Sequence, residues 1–296
     1  MKRIIMSVTA LIMALLLAAG IALPAEAAGV MPIAENLELC TYRNTSVGGT
    51  LTAYDPDGGE LLFEISTKPV KGDITLEDNG SFVYTPFRDK KGRDYFGYRV
   101  SDAEGNISQE ATVLITIQKN KPCIEYSDMK GSGAEYAAVL LCEKGLYTGK
   151  KVCGRYQFCP EEAVSRGEFL SMCMELTGSS AISGVVRTGF SDDESIPLWM
   201  KGYVAAAAMD GYAAAGNEFS PDAPITPAEA ALMLRNAMAL ESVSYMPLDE
   251  ELEPVFAQAC ADLSAYGIAE KLPVSAETLT RAEAALLLCE ATKLGR

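Results

Sequence analysis

Three short segments of the C-terminal half place a hydroxyl, an arginine or proline, and a glutamate in a fixed order. They read Ser165-Arg166-Gly167-Glu168, Thr226-Pro227-Ala228-Glu229 and Thr280-Arg281-Ala282-Glu283. A Ser or Thr followed three residues later by Glu is the capping box that begins a helix. An arginine at the first helical position lies beside the positive end of the helix dipole, which is unfavourable. Capping therefore explains the hydroxyl and the glutamate, but not Arg166 or Arg281.

These segments recur at intervals of about 50–60 residues, which is typical of stacked supersecondary units. Such a unit does not bury its apolar face alone and is stabilised by its neighbours. The recurrence indicates a binding scaffold in the C-terminal half of the chain.

The chain contains no histidine. Catalysis by Ser-His-Asp or Cys-His groups is therefore excluded, together with most zinc hydrolase sites. Pairs of carboxylates remain available, but the acidic residues lie in turns and caps and not in an apolar setting that would separate their pKa values. The sequence indicates a protein that is not an enzyme and that needs no cofactor.

Charge and the N-terminus restrict the partners. The formal net charge of −15 disfavours nucleic acid and anionic lipid, so an acidic ligand needs local cations. Residues 1–27 have the layout of a signal peptide, with two basic residues, an apolar stretch from Ile4 to Leu23 and a cut after Ala27. About 20 apolar residues are also enough for an uncleaved membrane anchor. We favour cleavage, which predicts a secreted protein with no membrane contact afterwards.

Eight cysteines raise the question of disulfides, although a chain this rich in core residues needs no disulfide framework. Four lie in apolar helical runs, where free cysteine acts as a small hydrophobe: Cys142, Cys173, Cys260 and Cys289. Cys153 and Cys159 flank a loop and are the favoured bridged pair, but sequence alone does not fix connectivity. Without a second pair or a histidine, their spacing does not indicate a metal site.

Residues 31–118 predict an all-β domain, because runs of β-forming residues alternate with turns rich in Asp, Asn and Gly. About seven strands in a segment of this length indicate a sandwich. The strands resemble the cadherin-like, immunoglobulin-fold repeats of bacterial surface proteins. The motifs that carry the resemblance are Asp-Pro-Asp-Gly at 55–58, Gly-Ser-Phe-Val-Tyr-Thr-Pro at 80–86, Gly-Arg-Asp-Tyr-Phe-Gly-Tyr at 92–98 and Ser-Asp at 101–102.

Asp55, Asp57 and Asp102 in the turns of this domain are candidate calcium ligands, because calcium prefers carboxylate and carbonyl oxygens on irregular loops. The competing interpretation is that these aspartates stabilise turns. We favour the turn role, since no complete ligand set is visible in the sequence.

A linker at 119–123 is followed by runs rich in alanine, leucine and methionine. These runs predict helices at about 135–144, 165–176, 197–209, 226–240, 254–266 and 280–293. They form three copies, which we place at 124–178, 187–241 and 247–296. The third copy is degenerate.

The three copies resemble S-layer homology repeats. The middle copy carries Phe-Ser-Asp at 190–192, Trp199, Gly211-Tyr212, Phe-Ser-Pro at 219–221 and Ile-Thr at 225–226. The first copy carries Tyr-Ser-Asp at 126–128, Phe-Cys-Pro at 158–160 and the cap segment at 165–168. The third keeps mainly Leu-Thr-Arg-Ala-Glu at 279–283.

The resemblance implies an all-α bundle of three repeats around a pseudo-threefold axis, with polysaccharide bound in the grooves between neighbours. The ligand of the family is an acidic, often pyruvylated, secondary cell-wall polymer. Arg166 and Arg281 would pair with its carboxylate, since a guanidinium fork and helix N-terminal amides bind anions. Trp199 would stack on a sugar ring. The other candidate contacts are Ser165, Thr280, Gly211 and Tyr212.

Pro227 replaces the arginine in the middle copy. That groove is therefore either silent or supplied with charge by Lys201 or Arg235. We expect fewer working grooves than repeats.

The sequence thus predicts a non-catalytic protein anchored to a Gram-positive-type cell wall, which displays one immunoglobulin-like module. The alternative is an adhesion or surface-assembly protein whose β-domain binds a protein or glycan partner. A wall-active enzyme is the least favoured class.

Overall fold

The computed structural model describes residues 29–119, 122–209, 218–244, 253–268 and 278–294. A β-rich part precedes a helical part, as the sequence predicts. The predicted signal peptide and the centre of the predicted linker lie outside the described residues.

The N-terminal part is built from short strands. They are β1 (Ile33–Ala34), β2 (Leu37–Tyr42), β3 (Val47–Thr50), β4 (Ala53–Tyr54), β5 (Leu62–Thr67), β6 (Gly72–Leu76), β7 (Ser81–Pro86), β8 (Gly92–Ser101) and β9 (Ala111–Gln118). One sheet has the order β2-β9-β8-β5 and a second has the order β3-β7-β6, while β1 pairs with β4. β2 runs parallel to β9, and the other pairs in the two sheets are antiparallel.

The two sheets enclose one apolar core, which makes this part a β-sandwich. In β9 the buried side chains of Val113, Ile115 and Ile117 alternate with more exposed positions, because successive residues of a strand face opposite sides. Phe82 of the smaller sheet meets Phe96 of the larger sheet edge to face, with ring centroids 5.2 Å apart. The predicted sandwich is therefore present.

The helical part contains the six predicted helices. They are α1 (Glu135–Glu143), α2 (Arg166–Thr177), α3 (Leu198–Met209), α4 (Pro227–Ala237), α5 (Pro254–Ala265) and α6 (Arg281–Lys293). The largest difference from the prediction is at the end of α4, where Ala239 adopts a φ of 50° that stops the helix.

One buried apolar cluster unites these helices. It includes Leu170 of α2, Leu234 of α4 and Leu288 of α6. Cys173 and Cys289 are buried in the same cluster, and Cys142 and Cys260 pack against it. The prediction that these four cysteines lie in apolar helical packing is confirmed.

The expectation of an all-α C-terminal part is wrong at one place, because two short strands form a hairpin before α2. The strands are β10 (Lys150–Val152) and β11 (Arg155–Gln157), paired in antiparallel register. The connecting residues, Cys153 and Gly154, have φ values of 49° and 80°. Positive φ at both central residues is what a two-residue hairpin turn requires, and glycine supplies it without strain.

The hairpin also accounts for a second correction. Cys153 and Cys159, the pair favoured for a disulfide, are both free thiols. Cys153 lies at the tip of the hairpin, and β11 leads away from that tip at about 3.3 Å per residue. The second strand therefore separates the two sulfur atoms.

Candidate functional site

Each of the three cap segments begins a helix in the predicted manner. Ser165, Thr226 and Thr280 are the N-cap residues of α2, α4 and α6. In each case the hydroxyl accepts a hydrogen bond from the amide of the glutamate three residues later, and that glutamate accepts one from the cap amide. The predicted capping boxes are confirmed.

The three cap segments meet in a closed ring of backbone hydrogen bonds. The amide of Val164 donates to the carbonyl of Leu279 at 3.0 Å, Ile225 donates to Val164 at 2.9 Å, and Leu279 donates to Ile225 at 2.8 Å. These three residues occupy the same position, just before the cap, in the three copies. Each copy thus donates to one neighbour and accepts from the other.

The loops of the first and middle copies have equivalent internal bonds. The carboxylate of Asp128 accepts from the amides of Phe158 at 2.9 Å and Cys159 at 2.7 Å. In the middle copy Asp192 accepts from the amides of Phe219 at 2.8 Å and Ser220 at 2.7 Å. These aspartates therefore stabilise loops.

Backbone φ values and aromatic ring contacts show the same equivalence between the first and middle copies. Cys159 and Ser220 both have positive φ, of 58° and 54°. Tyr126 packs against Phe158 and Phe190 packs against Phe219, with ring centroids 5.3 and 5.7 Å apart.

The first amides of α2 and α6 bind the loops of neighbouring copies. Arg166 and Gly167 donate to the carbonyls of Ala223 and Pro221, each at 2.9 Å. In the same pattern Arg281 and Ala282 donate to the carbonyls of Glu162 and Pro160, at 2.9 and 3.0 Å. Amides that would otherwise attract an anion at a helix N-terminus are thus satisfied by protein carbonyls.

The side chain of Arg166 extends in the same direction as these amides. Its Nε donates to the carbonyl of Phe219 at 2.9 Å, and its Nη1 lies 2.5 Å from Glu229 Oε1. Its guanidinium also lies over the Phe219 ring, 5.7 Å from the centroid. Arg166 therefore joins the first copy to the middle copy.

Arg281 makes the corresponding contact with the first copy and is only 2% exposed. Its Nη1 donates to the carbonyls of Phe158 and Cys159 at 3.2 and 3.1 Å, and to Glu162 Oε2 at 3.0 Å. The guanidinium lies 5.1 Å from the centroid of the Tyr147 ring. Hydrogen bonds from Lys150 and then from Arg281 lower the pKa of Glu162 to about 2.

The two arginines thus have intramolecular partners, which the sequence did not reveal. In the sequence, the only sign of these contacts is an arginine at the start of a helix, where the positive end of the helix dipole makes its charge unfavourable. The helix dipole is offset here by acidic side chains and carbonyls of the adjacent copy.

The cations suggested for the middle copy are also engaged by protein groups. Lys201 Nζ lies 2.6 Å from Asp193 Oδ2 and donates to the carbonyl of Val186 at 3.2 Å. Arg235 Nε lies 2.9 Å from Asp262 Oδ2, a carboxylate that is fully buried. These contacts direct both side chains towards protein groups and not towards an open anion-binding site.

Trp199 is different, because its side chain faces solvent near the start of α3. It is 62% exposed, and the adjacent Leu198 is 70% exposed. An exposed indole is suited to stacking on the apolar face of a sugar. Gly211 and Tyr212, which follow α3, lie outside the described residues.

A cavity of about 700 Å³ lies at the opposite ends of the capped helices. Its lining includes Thr177 at the end of α2, Met238 after α4 and Thr292 near the end of α6. Since helix C-termini present unpaired carbonyls, this end favours cations over acidic sugars. Of the binding residues expected from the sequence, those that the structure describes do not line it.

Two of the three aspartates considered for calcium, Asp55 and Asp102, bond within their turns, while the carboxylate of Asp57 accepts from the amide of Val30. Asp55 Oδ1 accepts from the amide of Asp57 at 3.0 Å, although its Oδ2 is buried and unpaired. The two oxygens of Asp102 accept from the backbone and side chain of Asn106, each at 2.8 Å. Among the residues that the structure describes, no three Cys, Asp or Glu side chains are grouped to hold a metal ion. The bonds of Asp55 and Asp102 fit the turn interpretation for these two residues.

Comparison with known families assigns two parts of the chain. Residues 31–119 match the family model of the bacterial cadherin-like domain. Residues 189–231 match that of the S-layer homology domain. A search of the curated proteins gives no match.

Solved structures give distant similarities. The chain is similar to the endo-fucoidan hydrolase MfFcnA4 of glycoside hydrolase family 107, at 22% identity and a TM-score of 0.26, over 31% of this chain and 14% of that chain. It is similar to a mutant of the SrpA adhesin from Streptococcus sanguinis, at 18% identity and a TM-score of 0.25, over 33% of this chain and 66% of that chain. It is also similar to the human desmocollin-1 ectodomain, at 20% identity and a TM-score of 0.24, over 30% of this chain and 20% of that chain. The chain thus spans only a small part of the hydrolase.

The domains define a multidomain protein of the bacterial cell surface. The chain carries a bacterial cadherin-like domain followed by an S-layer homology domain, and neither kind of domain is catalytic. The second match falls on the middle copy, which has the most complete set of motifs. In the part of the chain that the structure describes, no helix has the length and apolar character needed to cross a membrane.

Proposed function

We propose that the chain is an exported, non-catalytic protein that is held on a Gram-positive-type cell wall by three S-layer homology repeats arranged around a pseudo-threefold axis. The repeats bind an acidic secondary cell-wall polysaccharide, and the cadherin-like module is displayed outward. The observation that carries this proposal is the hydrogen-bonded ring at Val164, Ile225 and Leu279, which links the matched middle copy to two flanking copies at equivalent positions.

We assign polysaccharide binding to the grooves between copies and to the residues expected from the sequence. Trp199 stacks on a sugar ring, since its indole is exposed. Arg166 keeps 17% of its side chain exposed and uses Nε and Nη1 for protein contacts, so we assign the contact with a ligand carboxylate to its Nη2. Arg281 is nearly buried and positions the groove wall. Ser165 and Thr280 position the helix starts. Gly211 and Tyr212, which lie outside the described residues, stay candidates from the sequence alone.

Sedimentation with purified wall sacculi tests the proposal. The chain is expected to sediment with intact sacculi and to remain in solution after acid treatment has removed the wall polymer. Binding that survives the acid treatment would contradict recognition of the polymer. Release of soluble glycan from the sacculi would contradict the non-catalytic assignment.

Substitution of Trp199 tests the site itself. Trp199→Ala is expected to weaken binding to sacculi by about fivefold, since stacking of an aromatic ring contributes about 1 kcal/mol. Leu198→Ala is the matched control, because Leu198 is the exposed neighbour on the same helix. Equal binding by the two variants would remove Trp199 from the site.

A second candidate function is adhesion or surface assembly through the β-domain. Leu62 on the edge strand β5 and Val70 beyond it are exposed apolar side chains, at 65% and 76% exposure. Such side chains at a sheet edge suit pairing with another protein. Deletion of residues 31–118 would then abolish partner binding while sedimentation with sacculi persists.

A further inference from the structure

The cadherin-like domain is joined to the first helix of the repeats by direct hydrogen bonds. The amide of Gly48 in β3 donates to the carbonyl of Gly133 at 2.8 Å, and the amide of Tyr136 in α1 donates to the carbonyl of Ser46 at 3.1 Å. The carboxylate of Glu135 also accepts a hydrogen bond from the amide of Ser46 at 3.0 Å. The two parts therefore share a defined junction in addition to the linker.

Glu143, the last residue of α1, binds both the β-domain and the linker. One carboxylate oxygen accepts from the hydroxyl of Tyr42, and the other accepts from the amide of Cys123 at 3.4 Å. The Tyr42 ring also packs on Tyr136, with centroids 5.3 Å apart. The carboxylate of Glu143 thus holds Cys123 against the end of α1.

This arrangement brings two thiols close together. Cys142 is adjacent to Glu143, whose carboxylate holds the amide of Cys123, and the Cys142 thiol is near enough to raise the pKa of Cys123. Both are free thiols in this structure, Cys123 exposed and Cys142 half-buried. Cys123 is therefore accessible to a soluble oxidant, while Cys142 is positioned to react with it next.

We propose that Cys123 and Cys142 form a disulfide that fastens the end of the linker to α1 and fixes the junction between the cadherin-like domain and the repeats. The oxidant is a small or protein disulfide of the exported compartment. The Cys123 thiolate attacks it to give a mixed disulfide and one released thiol. Cys142 then displaces the second thiol, so one S–S bond forms, two S–H bonds break, and two electrons and two protons pass to the oxidant.

The surroundings of the pair predict that oxidation is slow and that the resulting disulfide resists reduction. Burial first, and then the neighbouring Cys142, raise the pKa of Cys123 to about 11. The attacking thiolate is therefore a minor species at neutral pH, and oxidation is faster in alkali. A thiol of high pKa is also a poor leaving group, which makes the disulfide resistant to reduction by thiols.

Peptide mapping tests the proposal on the full chain. The protein is incubated with oxidised glutathione at pH 8.5, alkylated without reductant and digested with trypsin. Cleavage after Lys130 separates the two cysteines, so the disulfide must link the peptide 120–130 to the peptide 131–144. A link between the peptides 152–155 and 156–166 would instead report Cys153 with Cys159.

The expected result is the 120–130 to 131–144 link, lost in Cys123→Ser and retained in Cys153→Ser. The oxidised protein should also melt at a higher temperature than the reduced protein, with no such difference in Cys123→Ser. The proposal would be overturned if peptide mapping after oxidation found Cys123 and Cys142 alkylated. A disulfide from either one to another cysteine would also overturn it. Since the experiment supplies its own oxidant, its outcome is independent of the proposed export and wall binding.

Discussion

At the scale of single residues, the two arginines of the cap segments show how an unfavourable local position is compensated at a distance. Arg166 and Arg281 begin helices whose dipoles repel them, yet each reaches an acidic residue and a loop carbonyl in the next copy. Arg281 is almost fully buried, and its Nη1 makes these bonds while its Nε has no hydrogen-bond partner. The same residue type therefore stabilises an interface where the sequence indicated only ligand binding.

Arg281→Ala is expected to destabilise the chain by about 3 kcal/mol, because it leaves buried carbonyls and a carboxylate without their charged donor. Chemical denaturation measures the change in the free energy of unfolding. Arg187→Ala, which removes an exposed arginine, is the control and should change it little. Equal effects would show that the Arg281 contacts do not stabilise the fold.

The ionisation of Asp193 makes the stability of the folded protein depend on pH. A hydrogen bond from Lys201, followed by bonds from the amide and hydroxyl of Thr188, lowers the pKa of Asp193 to about 2 from its usual 3.8. A carboxyl whose pKa is lowered by folding stabilises the protein above its unfolded pKa and loses that effect as pH falls towards its folded pKa. The stabilisation is therefore lost between about pH 4 and pH 2.

Asp193→Asn should accordingly flatten the decline in the urea midpoint over this pH range. Measurements at intervals from pH 5 to pH 2 compare it with Asp222→Asn, which changes an exposed aspartate. Identical pH profiles for Asp193→Asn and the unmodified chain would contradict the role of the Lys201 bond.

At the scale of elements, the capping boxes define where α2, α4 and α6 begin, and the loops before them define how neighbouring copies meet. The sequence located the starts of the capped helices to within one residue, since a hydroxyl and a glutamate three residues apart satisfy local donors. The hairpin of β10 and β11 was missed, because two strands of three residues give too short a run for periodicity to show.

Thr280→Ala should lower the free energy of unfolding by about 1 kcal/mol, as expected for loss of an N-cap side chain. Thr280→Ser retains the hydroxyl and should lie close to the unmodified chain in the same urea titration. An alanine variant as stable as the serine variant would show that the ring of backbone bonds, and not the cap, holds α6.

At the scale of the whole molecule, the junction between the cadherin-like domain and the first repeat determines whether the chain unfolds in one step. Gly48 and Gly133 approach so closely that a Cβ on Gly48 would lie 2.9 Å from the Cα of Gly133. Backbone atoms on both sides leave little room for adjustment. A methyl group there is expected to separate the two parts.

Gly48→Ala should therefore split one calorimetric transition into two, because the β-domain and the helical part no longer stabilise each other. Gly97→Ala is the matched control, since its added Cβ meets the flexible side chain of Glu110 within the β-domain. A single transition in Gly48→Ala, at an unchanged temperature, would show that the junction contributes nothing to stability.

The sequence by itself determined the two classes of domain, the helix starts and the copies that resemble S-layer homology repeats. These features depend on local patterns, such as strand alternation, turn residues and caps, whose energetics involve residues close together in the chain. Only the tertiary structure decided the partners of Arg166 and Arg281, the separation of Cys153 from Cys159 and the proximity of Cys123 to Cys142. The partners of the arginines lie in other copies, and the positions of the thiols depend on a hairpin and a domain junction, which spacing along the chain does not specify.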